Sequence, residues 1–145
     1  MSNSVIDNVV EAVMDMIDSL NLFSLIKRGA LGTGNGLSCG IAPSSPEEVY
    51  LDKNQTIILD FTINGKHENL DTLSKAMNKI HEVIPMMRNY PSGNGWQIID
   101  IQTITFPQQI GREENNSWLM ASSLNVKYAT YTRNAPVAVE QTEQE

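Results

Sequence analysis

The sequence predicts an α+β fold, an antiparallel sheet of about four strands with a long C-terminal β-hairpin and two helices packed on one face. Apolar residues recur every three or four positions in residues 4–27 and 68–84, which is typical of amphipathic helices. Apolar and polar residues alternate along Thr56–Asn64, as in a strand with one buried face. A second alternating segment, Trp96–Phe106, is followed by a polar stretch and an apolar return at Trp118–Thr130, which indicates the hairpin.

Composition restricts the class of protein. The chain has 145 residues, enough for one domain, which we place at residues 1–131. Residues 132–145 are mostly polar, and we expect them to be disordered unless a partner orders them. The net charge is −7, with 17 acidic against 10 basic residues, so tight nucleic-acid binding is not expected.

The N-terminal residues and the single cysteine predict the compartment. No basic leader precedes Asp7, and no stretch reaches the roughly 20 apolar residues that span a bilayer, so we expect neither a signal peptide nor a membrane partner. Cys39 is the one cysteine and cannot form an internal disulfide or a cysteine-based zinc site. We therefore expect the protein to mature in a reducing cytoplasm.

The first predicted helix carries acidic residues along one side. Ser4 offers an N-cap oxygen, and Lys27-Arg28 followed by Gly29 suits the C-terminal end of a helix. Opposite the apolar stripe lies an acidic stripe that recurs about once per turn, formed by Asp7, Glu11, Asp15 and Asp18. Two interpretations stay open: a solvated face near the positive end of the helix dipole, or a face that lines a negatively charged channel.

A glycine-rich segment, residues 29–36, follows this helix. A phosphate-binding loop follows a strand and begins a helix, whereas this segment follows a helix and precedes a strand-like pattern. The segment is therefore interpreted as a flexible connector. Short strands are predicted at Leu37–Ala42 and Glu48–Leu51, and Asn64-Gly65 is predicted as the turn that ends the next strand.

The second helix is predicted over Glu68–Ile84, with Pro85 at its end. The two histidines, His67 and His81, lie near its opposite ends and are predicted to be solvated. No pattern places a nucleophile beside a base, and no metal-ligand spacing occurs. We therefore expect no catalytic residue, no metal, no cofactor and no enzyme activity.

The predicted hairpin has a long polar tip, Gln108 to Ser117. This segment is too long for a two-residue turn and too polar for the core, so it is expected to project from the sheet. It is either a mobile loop without partners or a contact surface toward a neighbouring subunit or another protein. In the second case the contact residues are Ile110, Arg112, Glu113 and Glu114.

The order of elements resembles the small neck proteins of tailed bacteriophages and prophages, the tail-terminator and minor-capsid group. The segments that carry the resemblance are TIILDFTINGKHENL, DTLSKAMNKIHEVI and the closing GWQIIDIQTITFPQQIGREENNSWLMASSLNVKYAT. Most specific is a strand that ends in P-x-x-I-G-R, then an acidic turn, a tryptophan and a return strand that ends in V-K-Y. The resemblance covers residues 4–131.

The resemblance implies a structural virion protein. Proteins of this group form a homo-oligomeric ring, commonly a hexamer, that caps the tail tube and joins it to the head, so the implied partners are further copies, the tail-tube protein and head connector proteins. The implied location is the neck of a virion assembled in the bacterial host cytoplasm. Two alternatives are a head-side connector or other minor capsid protein, and a cytoplasmic peptide- or small-ligand-binding module that uses a sheet edge.

Overall fold

The computed structural model describes residues 4–49, 55–114 and 116–131, with the backbone alone for 43–49. The predicted tail, residues 132–145, lies outside the described residues, as does part of the predicted strand Glu48–Leu51. The described residues form two helices, a short 3-10 helix and six strands. In order these are α1 Val5–Asp18, β1 Ile26–Arg28, β2 Gly36–Val49, β3 Gln55–His67, α2 Leu70–Val83, the 3-10 helix Ile84–Met86, β4 Ser92–Gly93, β5 Trp96–Arg112 and β6 Trp118–Thr130.

The predicted fold class is wrong, because the sheet is mixed and curled and has six strands instead of about four antiparallel ones. The strand order is β1-β2-β3-β6-β5-β4. β1 pairs in parallel with β2 at Leu37, Ser38 and Cys39, and the other neighbours are antiparallel. β1 and β4 have three and two residues, too few to show an alternating pattern in the sequence.

The first helix is shorter than predicted and ends at Asp18. It begins as expected, because the Ser4 side chain accepts a hydrogen bond from the Asp7 amide. At its end the Ser19 hydroxyl donates to the Met16 carbonyl at 2.6 Å, and Asn21 takes a left-handed φ of 58°. The chain then turns back to form β1, so Lys27-Arg28 belongs to a strand and not to the helix terminus.

β3 and β6 form the centre of the sheet. They pair without a register shift from Gln55 with Thr130 to His67 with Trp118. The predicted turn at Asn64-Gly65 is therefore wrong, and both residues lie inside β3. A Cβ atom on Gly65 would lie 2.6 Å from Leu73 Cδ1, so the missing side chain lets α2 pack directly on this strand.

The second helix agrees closely with its predicted range. The Asn69 side chain accepts a hydrogen bond from the Thr72 amide at 3.1 Å, and Pro85 lies in the 3-10 helix that follows. Its apolar side joins α1 and the sheet in one core. Fully buried side chains of this core come from both helices and the two central strands. They include Val9, Val13 and Ile17 of α1, Leu73, Met77 and Ile80 of α2, Leu59 and Phe61 of β3, and Leu124 and Val126 of β6.

Candidate assembly interface

The titratable and nucleophilic side chains of the described residues include one buried cysteine and no metal-binding cluster. No group of three or more His, Cys, Asp or Glu side chains that could hold a metal ion lies among the described residues. Cys39 is buried, and burial raises the pKa of its thiol to about 11, which leaves it a poor nucleophile. No helix within the described ranges is long and apolar enough to cross a membrane.

One histidine differs from the prediction that both are solvated. His81 is 5% exposed, its Nδ1 lies 2.8 Å from the Thr103 hydroxyl oxygen, and its Nε2 is buried without a hydrogen-bond partner. Burial lowers its pKa below the usual value. His67 is half-buried, with its ring edge-on to Phe23 at 4.7 Å between centroids. The sequence pattern missed the buried histidine because position 81 borders the apolar stripe of α2.

The tip of the hairpin is much shorter than predicted. β5 continues to Arg112 and β6 begins at Trp118, so only residues 113–117 connect them, of which residue 115 lies outside the described residues. The Glu113 amide donates to the Ser117 carbonyl at 2.8 Å, and the Asn116 amide donates to the Glu113 carbonyl at 2.9 Å. Pro107 lies inside β5 at an irregular part of the ladder, where register shifts flank it. The tip is a hydrogen-bonded turn.

The four predicted tip residues have different environments. Arg112 stacks over the Trp118 ring, 4.4 Å from guanidinium carbon to centroid. Glu113 accepts from the Lys66 ammonium at 3.2 Å, whereas Ile110 is 60% exposed. Glu114 is exposed at the turn. Two of the four are therefore held by the subunit itself, and whether any of them contacts another protein stays a prediction.

Lys66 was not singled out by the sequence, yet it is one of the most buried polar residues. It lies on β3 at 3% exposure, and its ammonium donates to the Gly32 carbonyl and to Glu113. It thereby connects the glycine-rich segment 29–36 to the hairpin turn. The local sequence, Gly65-Lys66-His67, gives no sign that the lysine is buried, because its partner Glu113 lies 47 positions away.

Four large apolar side chains along β5 are exposed. β4 covers only Trp96 and Gln97 of this strand, and no other described strand pairs with its outer side. The opposite sheet edge, β2 beyond Cys39, carries Pro43 and Pro46, which cannot donate ladder hydrogen bonds. β5 is therefore the more open edge. Its large exposed apolar side chains, here called the β5 strip, are Ile99 at 48%, Ile104 at 52%, Phe106 at 67% and Ile110 at 60%.

The acidic stripe of α1 divides into two parts. Asp7 accepts a 2.7 Å hydrogen bond from Arg28, which holds the pKa of that carboxyl below its usual value. The Asp18 carboxylate accepts from the Ile26 amide at 2.8 Å. Asp7 and Asp18 thus fix β1 to α1. A position of the stripe along a channel stays a prediction.

Glu11 and Asp15, the other two stripe residues, lie at the rim of a groove. The groove has a volume of about 670 Å³ and runs between α1 and the turn that joins β4 to β5. Met16 and Trp96, at 8% and 6% exposure, lie at its base. A Cβ atom on Gly93 would lie 2.5 Å from the Trp96 indole, so the turn packs flat against that ring.

Comparison with known proteins is informative at the level of the fold. No protein-family model matches the sequence, and no curated protein matches it. A solved chain from a structure described as the virion of a native gene transfer agent (GTA) particle superposes with a TM-score of 0.60. The match covers 88% of this chain and 99% of the other, with 12% sequence identity. The protein therefore shares its fold, over nearly its whole described length, with a chain of that particle.

Proposed function

We propose that the protein is a structural component of a phage-like virion, acting at the neck as a tail-terminator or tail-completion protein. The shared fold with a chain of a gene transfer agent virion supports the virion part of this proposal, since the match spans 99% of that chain. The described residues also lack a cluster suited to metal binding, and their one thiol is buried. The proposed activity therefore depends on surfaces, and the proposed location is the virion.

The observation that carries the assembly part of the proposal is the β5 strip. Its four apolar side chains are each about half exposed or more, and they follow an open sheet edge. Such an edge promotes uncontrolled association unless another surface covers it. A contact between this edge and a different surface of the next copy is heterologous, and it closes into a ring when the rotation allows. We propose a homo-oligomeric ring, with a hexamer as the expected size.

The proposed ring places the subunit between two kinds of partner. One face contacts the tail-tube protein and stops tube growth, and the other contacts head connector proteins. The exposed tip residues Ile110 and Glu114 are proposed to contribute to a neighbour contact, because Arg112 and Glu113 are engaged within the subunit. Burying apolar area at such a contact stabilises it by about 25 cal/mol per Å².

The assembly proposal is tested by substituting the β5 strip. We expect Ile104→Ser together with Phe106→Ser to abolish the ring measured by light scattering after size exclusion, in the presence of tail-tube protein. The control is Leu25→Ser with Met86→Ser, which removes side chains that are 72% and 79% exposed elsewhere on the surface. The control should assemble like the unmodified chain. Equal assembly by both variants would contradict a role for the strip.

The virion role is tested by deleting the gene in the strain that produces the particles. A tail terminator predicts tails of uncontrolled length that do not join heads, seen by negative-stain electron microscopy. A head-side connector, the alternative within the same module, predicts tails of normal length beside heads that lose their DNA. Unchanged particles, with the protein absent from purified virions by mass spectrometry, would contradict both.

The open edge of β5 also supports a second candidate function. An extended peptide can add a strand to an exposed edge. Residues 99–106, which follow the Ile98 amide that donates to the Pro91 carbonyl, carry no proline that would interrupt the ladder. A peptide-binding module would remain monomeric at all concentrations with tail-tube protein present, and its β5 amides would shift in an NMR titration with a peptide. Ring formation without such a ligand favours the virion role.

A further inference from the structure

The glycine-rich segment, residues 29–36, crosses the face of the sheet that lies opposite the helices. β1 and β2 are parallel neighbours, so the chain between them has to cross one face of the sheet. Gly65 faces α2, and alternation along β3 therefore places the next side chain, Lys66, on the other face. The Lys66 ammonium donates to the Gly32 carbonyl, which fixes the crossing segment on that outer face.

Two further polar side chains lie on the same outer face. Lys27 of β1 is paired with Ser38 of β2, whereas their neighbours Ile26 and Leu37 belong to the core. Ser38 is 0% exposed, and its hydroxyl has no hydrogen-bond partner among the described residues. A buried hydroxyl without a partner carries a desolvation cost, which a bound acceptor would remove.

A cavity of about 370 Å³ lies beside the crossing segment. Its lining includes Lys27 and residues 32–36. A Cβ atom on Gly32 would lie 3.2 Å from the Lys27 Nζ, so the ammonium lies against the segment. The described lining contains no carboxylate, and Lys27 forms no ion pair with a described residue. The cavity therefore holds one uncompensated positive charge.

The backbone of the segment adds hydrogen-bond donors to that charge. Within the part of the chain that the structure describes, the amides of residues 32–35 donate to no other group. Donors that surround an ammonium fit an anion with several acceptor oxygens, and a phosphate group carries such oxygens and up to two negative charges. A phosphate loop that begins a helix uses the helix dipole, whereas this arrangement uses a lysine and the backbone of a strand crossover.

We propose that this cavity binds a phosphate-type oxyanion, either free or as the phosphoryl group of a small molecule. The Lys27 ammonium pairs with the anion, the amides of residues 32–35 donate to its oxygens, and the Ser38 hydroxyl is a further donor from the sheet. Lys66 is a positioning residue, because its charge is paired with Glu113 while it holds the Gly32 carbonyl. This inference is independent of the proposed virion role, since it depends on the subunit alone.

The test is a titration of the full-length, ¹⁵N-labelled chain with inorganic phosphate at about 0.15 M ionic strength, followed by two-dimensional NMR. We expect the amide signals of residues 32–35 to shift and to saturate together. Lys27→Gln should weaken the affinity about tenfold, since it removes a charge-assisted contact. Arg88→Gln is the matched control, because it removes one positive charge from an exposed site that does not line the cavity. Equal weakening by both variants, or shifts that do not saturate, would overturn the proposal.

Two buried serines provide a second matched pair. Ser122 is also a buried hydroxyl without a partner, but it pairs with Ile63 and so faces the core. Ser38→Ala should weaken phosphate binding about threefold, and Ser122→Ala should leave it unchanged. Equal affinities of these two variants would contradict the position of the anion over Ser38.

Glycerol phosphate, titrated in parallel, distinguishes the two sources of the anion. Tighter binding than that of inorganic phosphate identifies the phosphoryl group of a small molecule, and weaker binding identifies the free anion. Absence of saturable binding by both probes would overturn the proposal.

Discussion

The charged side chain of Lys66, on β3, is almost completely buried. Its side chain is 4% exposed, whereas that of its partner Glu113 is 39% exposed. A buried charge that loses its partner keeps its desolvation cost, while a partly exposed carboxylate can regain water. Removing Glu113 and removing Lys66 should therefore lower the free energy of unfolding by different amounts.

We expect Glu113→Gln to lower the free energy of unfolding by about 1–2 kcal/mol, because it leaves the Lys66 ammonium buried with only a neutral partner. Lys66→Met should cost less than that, since the apolar chain fills the same space and Glu113 becomes solvated. Urea unfolding of both variants and of the double variant measures the difference. A larger cost for Lys66→Met would contradict this assignment of the desolvated partner.

His81 should make stability depend on pH. Burial lowers its pKa below the usual value of 6.5, so the unfolded chain binds a proton at a higher pH than the folded one. The stabilisation is complete above about pH 6.5 and is lost as the pH falls through the folded-state pKa. Between about pH 7.5 and pH 5, the urea midpoint of the unmodified chain should fall more steeply than that of His81→Gln. His67→Gln is the control and should retain the steep fall.

At the scale of elements, the contact between α2 and β3 depends on the absence of one side chain. The Cβ of an alanine at 65 would meet Leu73, Met77 and Leu37, all fully buried. We expect Gly65→Ala to lower the free energy of unfolding by about 1–3 kcal/mol, as overpacking does. Gly40→Ala is a matched control on β2, because its Cβ would meet nothing within 4 Å. Equal melting temperatures for the two variants would contradict this packing.

How far the sequence predicts each element depends on how its residues are buried. α2 and the core side of β3 were predicted closely, because one face of each is continuously apolar, as Leu59, Phe61 and Ile63 show. β5 was predicted to end at Phe106 because the following Pro107 cannot donate a ladder hydrogen bond. The strand continues because its ladder is irregular there, and bulges allow a proline inside a strand. The end of α1 was placed too late because Leu20 and Leu25, in the segment that joins α1 to β1, continue the helical spacing.

At the scale of the whole molecule, the sheet topology could not be read from local patterns. The parallel pairing of β1 with β2 joins three residues on each side, and no periodicity in the sequence reports it. The roles of the candidate surface residues could not be read from local patterns either. The acidic stripe was visible in the sequence, but its division between contacts to β1 and the groove rim depends on tertiary structure.

The channel hypothesis for the stripe predicts a change in DNA binding. Glu11→Lys with Asp15→Lys should leave the fold intact, because exposed substitutions cost about 0.5 kcal/mol or less each. If this face approaches DNA, the variant should bind duplex DNA with a steep salt dependence in a filter-binding assay. Glu68→Lys with Glu82→Lys makes the same change in net charge on other exposed sites. Equal binding by both variants would show that net charge alone is responsible.

The pairing of β3 with β6 has a consequence for how the chain folds. The two strands that form the centre of the sheet are up to 75 positions apart, so their contacts close a large loop. Contacts of this kind slow folding, to about milliseconds or longer. During synthesis, β3 leaves the ribosome well before its partner and keeps one side of its ladder unpaired until Trp118–Thr130 follows. The nascent chain is then open to pairing with other strands, and a chaperone that covers β3 in that interval should raise the yield of folded subunit.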